Sequence, residues 1–434
     1  MKVGLLSLGC AKNQVDSEHM LYMLKEMGHT MVSDEKDAEV IIINTCGFID
    51  SAKEEAIDAI LSAVNLKEQG LCRRVLVTGC LAQRYGDSLM EEIPEIDGLI
   101  GVEQYHDFKR YFAETVEGMR PMNVDRTGTS LECGRVLTTP PFTAYIRIGE
   151  GCDNRCHYCA IPLIRGGYRS RDAKAILAEM EALSASGVRE QIFIAQDTTR
   201  YGRDRGEKQG LADLLKAGSG VQGVDWLRVL YLYPEDVNDE LVDAMASVPN
   251  FCRYLDVPLQ HASPKMLKEM NRRGDIRKIE KTLIRAREMG FALRTTFIVG
   301  YPGETEEDFE LLMDFTRRMA FDRMGAFAYS PEEDTVGGAR EDQIDDDVKQ
   351  QRLDRLMTLQ QEISLQRNQQ RVGEETMLLI TEVRPGGVCV CRSHWEAPDA
   401  DGLIFVRGEG QPGQMRRAVI TQADTYDLHA RWID

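Results

Sequence analysis

Nowhere does this chain stay apolar for the roughly 18–20 residues that a membrane-spanning helix needs. Its opening run, Met1–Cys10, is too short and wrongly followed for a signal peptide, and it reads as a buried first strand. No membrane association is therefore expected, and the expected compartment is the cytoplasm. Basic excess is missing too: 53 Lys and Arg stand against 71 Asp and Glu, a net charge of −18. Such a balance is a poor match for a protein that must neutralise phosphate and a better one for a basic polypeptide partner. Taken alone it says little more than solubility. Internal repeats and low-complexity tracts are absent, which excludes solenoids and tail-like disorder.

What is present is a globular composition, 43% hydrophobic and 29% charged over 434 residues. That length predicts two or three domains. Eleven cysteines need a reason in a reducing compartment, where structural disulfides are rare. Packing as a small hydrophobe serves for Cys72, Cys133 and Cys252. It does not serve where cysteines recur at ligand spacing.

The fold class read from the pattern is α/β with a small β-barrel at the end. Apolar runs Val3–Leu8, Val40–Ile43 and Val75–Val77, with helical patterns at Ser17–Met27 and Ser51–Leu66, predict a parallel sheet domain over 1–120. Residues 121–141 read as a linker. Over 142–371 six candidate strands follow: Ala144–Ile148, Gln191–Ala195, Trp226–Tyr231, Tyr254–Val257, Leu293–Val299 and Arg323–Ala328. Helical patterns such as Ala173–Ser186 and Ile276–Met289 separate them, and a long helix over 345–370 closes the segment. This predicts a partial (β/α) barrel. Over 372–434 short strands at Met377–Val383, Gly387–Cys391, Leu403–Val406 and Arg416–Ala423 predict a small OB-like barrel.

Two cysteine sets carry chemistry. Cys152, Cys156 and Cys159 are spaced C-x-x-x-C-x-x-C just after the first barrel strand. Soft thiolates at this spacing suit an iron–sulfur cluster or zinc. Zinc would want paired C-x-x-C spacings and a fourth ligand, and His157 has little room to serve. Three ligands leave one iron of a 4Fe-4S cluster open to a cofactor. Cys10, Cys46 and Cys80 lie far apart in sequence, yet each directly follows a parallel strand. Ligands bind beyond the carboxyl ends of such strands, so the three thiols are expected to converge on a second cluster. The bland alternative is three buried cysteines.

The loop Cys152–Cys159, with Tyr158 before its last cysteine, resembles the radical-SAM signature. Together with Ser7–Asn13, Asn44–Phe48 and Thr78–Cys80, it makes the whole chain resemble the methylthiotransferases, with the tail similar to their TRAM domain. Glu150–Cys156, Arg165–Arg171, Gln196–Thr199 and Asp256–Ser263 are more similar to the members that modify ribosomal protein uS12 than to those that modify tRNA. The resemblance implies two 4Fe-4S clusters and S-adenosyl-L-methionine as cofactors, and an electron donor such as flavodoxin. It further implies hydrogen abstraction from the β-carbon of an aspartate of uS12, sulfur from the N-terminal cluster and a methyl group from a second S-adenosylmethionine, giving 3-methylthioaspartate. The one mild departure is Arg272-Arg273-Gly274.

Tyr158, Gln196, Asp197 and Gly300 are candidate S-adenosylmethionine contacts. Gln196 and Asp197 end a barrel strand, where catalytic groups collect, although capping the next helix would also explain them. Gly300 in Gly300–Thr305 lets backbone approach a ligand, or simply turns the chain. Cys389 and Cys391 share a strand face and read as structural. Lys12 and His261 read first as surface or packing residues. Six Arg against ten Asp and Glu make the tail acidic, so tRNA is not expected as partner. The rival functions are a tRNA (adenosine) methylthiotransferase and a non-catalytic iron–sulfur electron carrier.

Overall fold

The computed structural model describes residues 1–126 and 131–433. The N-terminal sheet is wholly parallel, in the order Thr30–Val32, Lys2–Ser7, Val40–Thr45, Arg74–Gly79, Gly98–Gly101, Met122–Asn123. Val40, Ile41, Ile42 and Ile43 have no solvent exposure, as a strand covered on both faces requires. Helices Ala11–Glu26, Asp50–Glu68, Cys80–Glu92 and Phe108–Glu117 cover the sheet. The three expected strands are the central ones; three short strands extend the sheet at its edges.

The segment expected to be a linker is more ordered than that reading. Met122–Asn123 pairs with the strand Gly98–Gly101. Farther on, the buried guanidinium of Arg135 bonds Glu18 of the first helix, the Tyr145 carbonyl and Glu179. Thr138 donates from both backbone and hydroxyl to Glu18. The connection is a bolt between two layers, and weak periodicity concealed it because its bonds are polar. Residues 127–130 of that segment lie outside the described residues.

The central segment has six parallel strands in chain order: Thr143–Arg147, Glu190–Ile194, Trp226–Val229, Tyr254–Asp256, Ala292–Val299 and Arg323–Ala328. They form two ladders of three, joined by a bridge between Leu227 and Phe251. Crossover helices Ala173–Ala185 and Ile276–Glu288 fall where expected. Helix Asp346–Gln370 packs on the last strand, and its Asn368 accepts a bond from Arg323.

The tail is a closed five-stranded barrel of Glu375–Arg384, Val388–Arg392, Ile404–Arg407, Met415–Ala423 and Leu428–Trp432. Cys389 and Cys391 are fully buried there among Leu378, Ile380, Ile404 and Val406, in keeping with a packing role. The acidic reading of the tail needs correcting at three residues. Asp401 is buried against the Tyr254 hydroxyl (2.6 Å) and Arg294, Asp399 accepts from the Tyr145 hydroxyl (3.3 Å), and Glu396 is buried beside Arg323. These acids dock the tail onto the open side of the central sheet. Arg228 and Arg392 from the two domains also meet on buried Glu190.

Candidate active site

Three parallel strands deliver Cys10, Cys46 and Cys80 to one sheet edge. Ser7 ends the first strand, Thr45 the second and Gly79 the third, and Cys80 opens its helix without any intervening loop. Close approach demands glycine here. A Cβ on Gly9, at φ +89°, would lie 2.8 Å from the Cys46 Cβ and 3.0 Å from its sulfur. A Cβ on Gly79 would sit 2.3 Å from the Thr45 carbonyl.

Asn13 ties the edge together. Its amide donates to the carbonyls of Thr45 (2.8 Å) and Leu8 (3.1 Å), while its Oδ1 faces the Cys80 sulfur at 3.5 Å. The Asn13 carbonyl in turn accepts from Asn44 (2.8 Å). Cys10 sits at the N-terminus of helix Ala11–Glu26. Cys10 is exposed to the cavity, and although the surrounding protein partly desolvates its thiol, Lys12, Arg165 and the backbone N–H groups of Asn13 and Lys12 outweigh that and lower its pKa. Burial raises Cys46, and it pushes Cys80 up to about 12. Cys46 feels the charge of Cys10, and Cys80 feels both.

The second set sits on a loop clamped from several sides. Gly151 has φ +76°, and a Cβ there would strike the Gly167 carbonyl at 2.2 Å. The Cys152 N–H donates to Gly166 (3.0 Å) and the Cys159 N–H to Cys156 (3.0 Å). Burial raises the Cys152 thiol to about 11 and raises Cys159 further, and each of these two is affected by the charge on Cys156. His157 is turned away: its Nδ1 lies 2.8 Å from the Glu269 carbonyl.

Among the described residues, no three His, Cys, Asp or Glu side chains close to the spacing of a single metal ion. Thiolates of a four-iron cluster bind separate irons and stand wider apart. Two sets of three soft thiols, each set electrostatically coupled and flanked by glycines that admit no Cβ, suit such clusters with one iron left open.

The remaining candidates divide. Gln196 donates to Glu150 (2.8 Å), and its Oε1 is buried without a protein partner, so it keeps an acceptor for a ligand. Asp197 accepts from Asn154 of the cysteine loop (2.7 Å) and from the Thr199 backbone (3.0 Å); it caps the turn Thr198–Arg200 and braces the loop. Tyr158 accepts from Arg272 (3.2 Å). Gly300 has φ +74°, donates to Glu304 (2.6 Å), and a Cβ there would overlap the Lys349 side chain; its glycine follows from the turn. His261 is buried, accepts from the Ser263 backbone (2.9 Å), and burial lowers it to about 3, a packing role. Lys12 is no surface residue: it is buried, with its ammonium 3.5 Å above the Tyr231 ring.

Sequence reasoning missed two buried arginines. Arg272 stacks on Tyr233 at 4.1 Å, pairs with Glu235 and approaches the Cys156 sulfur at 3.9 Å. Arg165 reaches Asn13 (2.5 Å) and the Cys80 sulfur (3.4 Å). Both stand inside motifs already singled out, but only packing reveals what they touch. A cavity of about 560 Å³ opens where the three domains meet, and Cys10, Gln14, Tyr145, Tyr231, Arg294 and Asp399 help to line it.

Three family models match in order: Uncharacterized protein family UPF0004 over residues 2–101, the Radical SAM superfamily over 146–316 and the TRAM domain over 372–433. Among solved structures the fold is similar to the radical S-adenosylmethionine methyltransferase TsrM of Kitasatospora setae. That match has TM-score 0.54 and 15% identity, covering 78% of this chain and 75% of that one. The cobalamin-dependent radical enzyme OxsB gives TM-score 0.53 at 12% identity, over 82% of this chain and 56% of that one. The curated relatives are far nearer. The ribosomal protein uS12 methylthiotransferase RimO of Pelotomaculum thermopropionicum is 47% identical, over 99% of this chain and 98% of its own. RimO of Desulfitobacterium hafniense is 45% identical over 98% and 97%, and RimO of Clostridioides difficile is 43% identical over 99% and 98%. With that identity along its whole length and all three domains in order, this chain belongs to the RimO family of radical-SAM methylthiotransferases.

Proposed function

We propose that this enzyme adds a methylthio group to the β-carbon of an aspartate in ribosomal protein uS12, giving 3-methylthioaspartate. As a family member it works with two 4Fe-4S clusters and S-adenosylmethionine. Cys152, Cys156 and Cys159 would hold the barrel cluster, and Cys10, Cys46 and Cys80 the N-terminal one. When bound, these groups supply the electron, the hydrogen abstraction, the sulfur and the methyl group, none of which a side chain provides. The chain's part is to bind, orient and shield. Asn13 and the three glycine-flanked strand ends fix one thiol set, and Asp197, Asn154 and Arg272 brace the other. Gln196 is our candidate for the S-adenosylmethionine contact, because its buried Oε1 has no protein partner; Tyr158, in the cysteine loop and bonded to Arg272, is a second candidate, whereas the turn accounts for Gly300.

The observation that carries this reading is the pairing of two three-thiol sites on adjacent domains, beside a cavity at the domain junction that reaches Cys10 of the N-terminal set. An electron carrier has no use for such a chamber. The exposed acids of the tail that remain, such as Glu374 and Asp424, favour a basic protein over tRNA. Part of that charge is already answered within the tail, since Glu375 pairs with Arg417. Reduction by a flavodoxin-like donor in the cytoplasm completes the reading. Mass spectrometry of uS12 from cells with and without the gene tests it. The expected difference is a gain of about 46 Da, one SCH₂ unit, mapping to an aspartate. Unchanged uS12, with methylthio-adenosine lost from tRNA instead, would move the substrate to nucleic acid.

A further inference from the structure

Arg165 stands between the two thiol sites. It ends the short helix Ile161–Arg165, which follows the Cys152–Cys159 loop almost directly and begins with a proline in its first turn. From there its guanidinium, 2% exposed, crosses into the N-terminal domain. One nitrogen donates to Asn13 Oδ1 (2.5 Å) and to the Cys80 sulfur (3.4 Å). The other pairs with Asp16 (3.0 Å) and Glu150 (3.2 Å). Arg147 shares both carboxylates. Glu150 also accepts from Gln196 at the end of a barrel strand. Among the described residues, no other guanidinium donates to a sulfur of Cys10, Cys46 or Cys80.

A one-electron reduction would add a negative charge to a cluster held by these thiols, of which Cys80 is buried. A cation and an N–H donor at a ligating sulfur favour that more negative state, because both act at short range in a medium of low dielectric. We propose that Arg165 is a positioning residue for the N-terminal cluster, holding the Cys80 sulfur and raising the reduction potential of that cluster from within the radical-SAM domain. This rests on the assignment of Cys10, Cys46 and Cys80 as cluster ligands. Buried Asp16 acts in the opposite sense: it offsets the positive charge, so its removal should raise the potential further.

The test isolates the N-terminal cluster in full-length chain carrying Cys152→Ala, Cys156→Ala and Cys159→Ala. Iron is measured first after anaerobic reconstitution. If this background binds none, the ligand assignment fails, independently of Arg165. With about four irons per chain, the midpoint potential is read by electron paramagnetic resonance under stepwise dithionite addition. Arg165→Met should shift it negative and Asp16→Asn should shift it positive. A residue that serves folding alone gives no such opposed pair. An unchanged potential in iron-loaded Arg165→Met, or shifts of the same sign in both variants, overturns the proposal. Should Arg165→Met fail to fold, Arg165→Gln, which removes the charge while keeping an amide donor, decides: a negative shift supports the proposal, and no shift overturns it.

Discussion

At the scale of single residues, the site depends as much on what is missing as on the thiols. Gly9 is the clearest case, because its φ of +89° and its contact with Cys46 both forbid a side chain. Gly9→Ala should cost about 1–2 kcal/mol from backbone conformation alone. The clash should also displace Cys46. Thermal melting and iron analysis check this: the melting temperature should fall, and iron should drop from about eight toward about four per chain. Full iron loading in Gly9→Ala would show that the three strand ends tolerate separation. The cysteines themselves were legible in the sequence because spacing and position after strands are local signals. Arg165, Arg272 and Asn13 were not, because their roles lie in contacts between segments more than a hundred residues apart, Arg165 with Asn13 and Arg272 with Cys156, or between separate strand ends. Gln196 and Asp197 looked alike on paper; only the packing separates an acceptor left open from one fully used.

At the scale of elements, buried charge joins the domains, and this sets two expectations. Burial opposes ionisation of Glu190, but Arg392 and Arg228 outweigh it and hold its pKa down to about 2, against an ordinary 4.5. A depressed carboxyl stabilises the fold fully above its unfolded pKa, and that stability is lost as pH falls through the folded value. The contribution is about 3 kcal/mol at neutral pH. It should fade between about pH 4.5 and pH 2. Glu190→Gln should therefore lower stability at pH 7, and its melting curves should lose part of the acid dependence seen in the parent. Equal acid dependence in both chains would count against the Glu190 cluster as a docking point. The loop Ala397–Asp401 makes the second case. Asp401→Lys would place a buried ammonium beside Arg294 and strand the Tyr254 hydroxyl. It should destabilise the fold by about 3–5 kcal/mol. Glu409→Lys, on the exposed rim, should change the melting point little. Charge reversal at Asp401 thus reports on domain docking, and only exposed acids of the tail report on a partner.

Element boundaries were legible wherever burial repeats regularly. The six central strands and the two crossover helices agree with the expected ranges to within about two residues, the usual uncertainty of an end. The first helix is the instructive failure. It begins at Ala11, whereas periodicity marked its start only at Ser17, because Asn13, Asp16, Ser17, Glu18 and His19 are polar and yet buried. A helix face that meets another domain through charges carries no hydrophobic stripe to read. The final strand of the tail, Leu428–Trp432, pairs parallel with Ile404–Arg407 at one side and antiparallel at the other, a closure that no local pattern announces.

At the scale of the whole molecule, three domains meet at one cavity with a thiol site on either side of the first interface. Six cysteines in two sets should bind about eight irons per chain after anaerobic reconstitution. Replacing either set by alanine should remove about half, and loss of all iron from one triple variant would make the two sites interdependent. The central claim is that the two sites divide the labour, the barrel site for hydrogen abstraction and the N-terminal site for sulfur. Its most direct test uses the folded Cys10→Ala, Cys46→Ala, Cys80→Ala chain with S-adenosylmethionine, a low-potential reductant and uS12. Formation of 5′-deoxyadenosine and the mass of uS12 are measured in the same tube. The expected result is continued 5′-deoxyadenosine formation with no mass gain on uS12, beside a gain of about 46 Da with the parent enzyme. A variant that still attaches the methylthio group, or a folded variant that no longer cleaves the cofactor, would contradict the account.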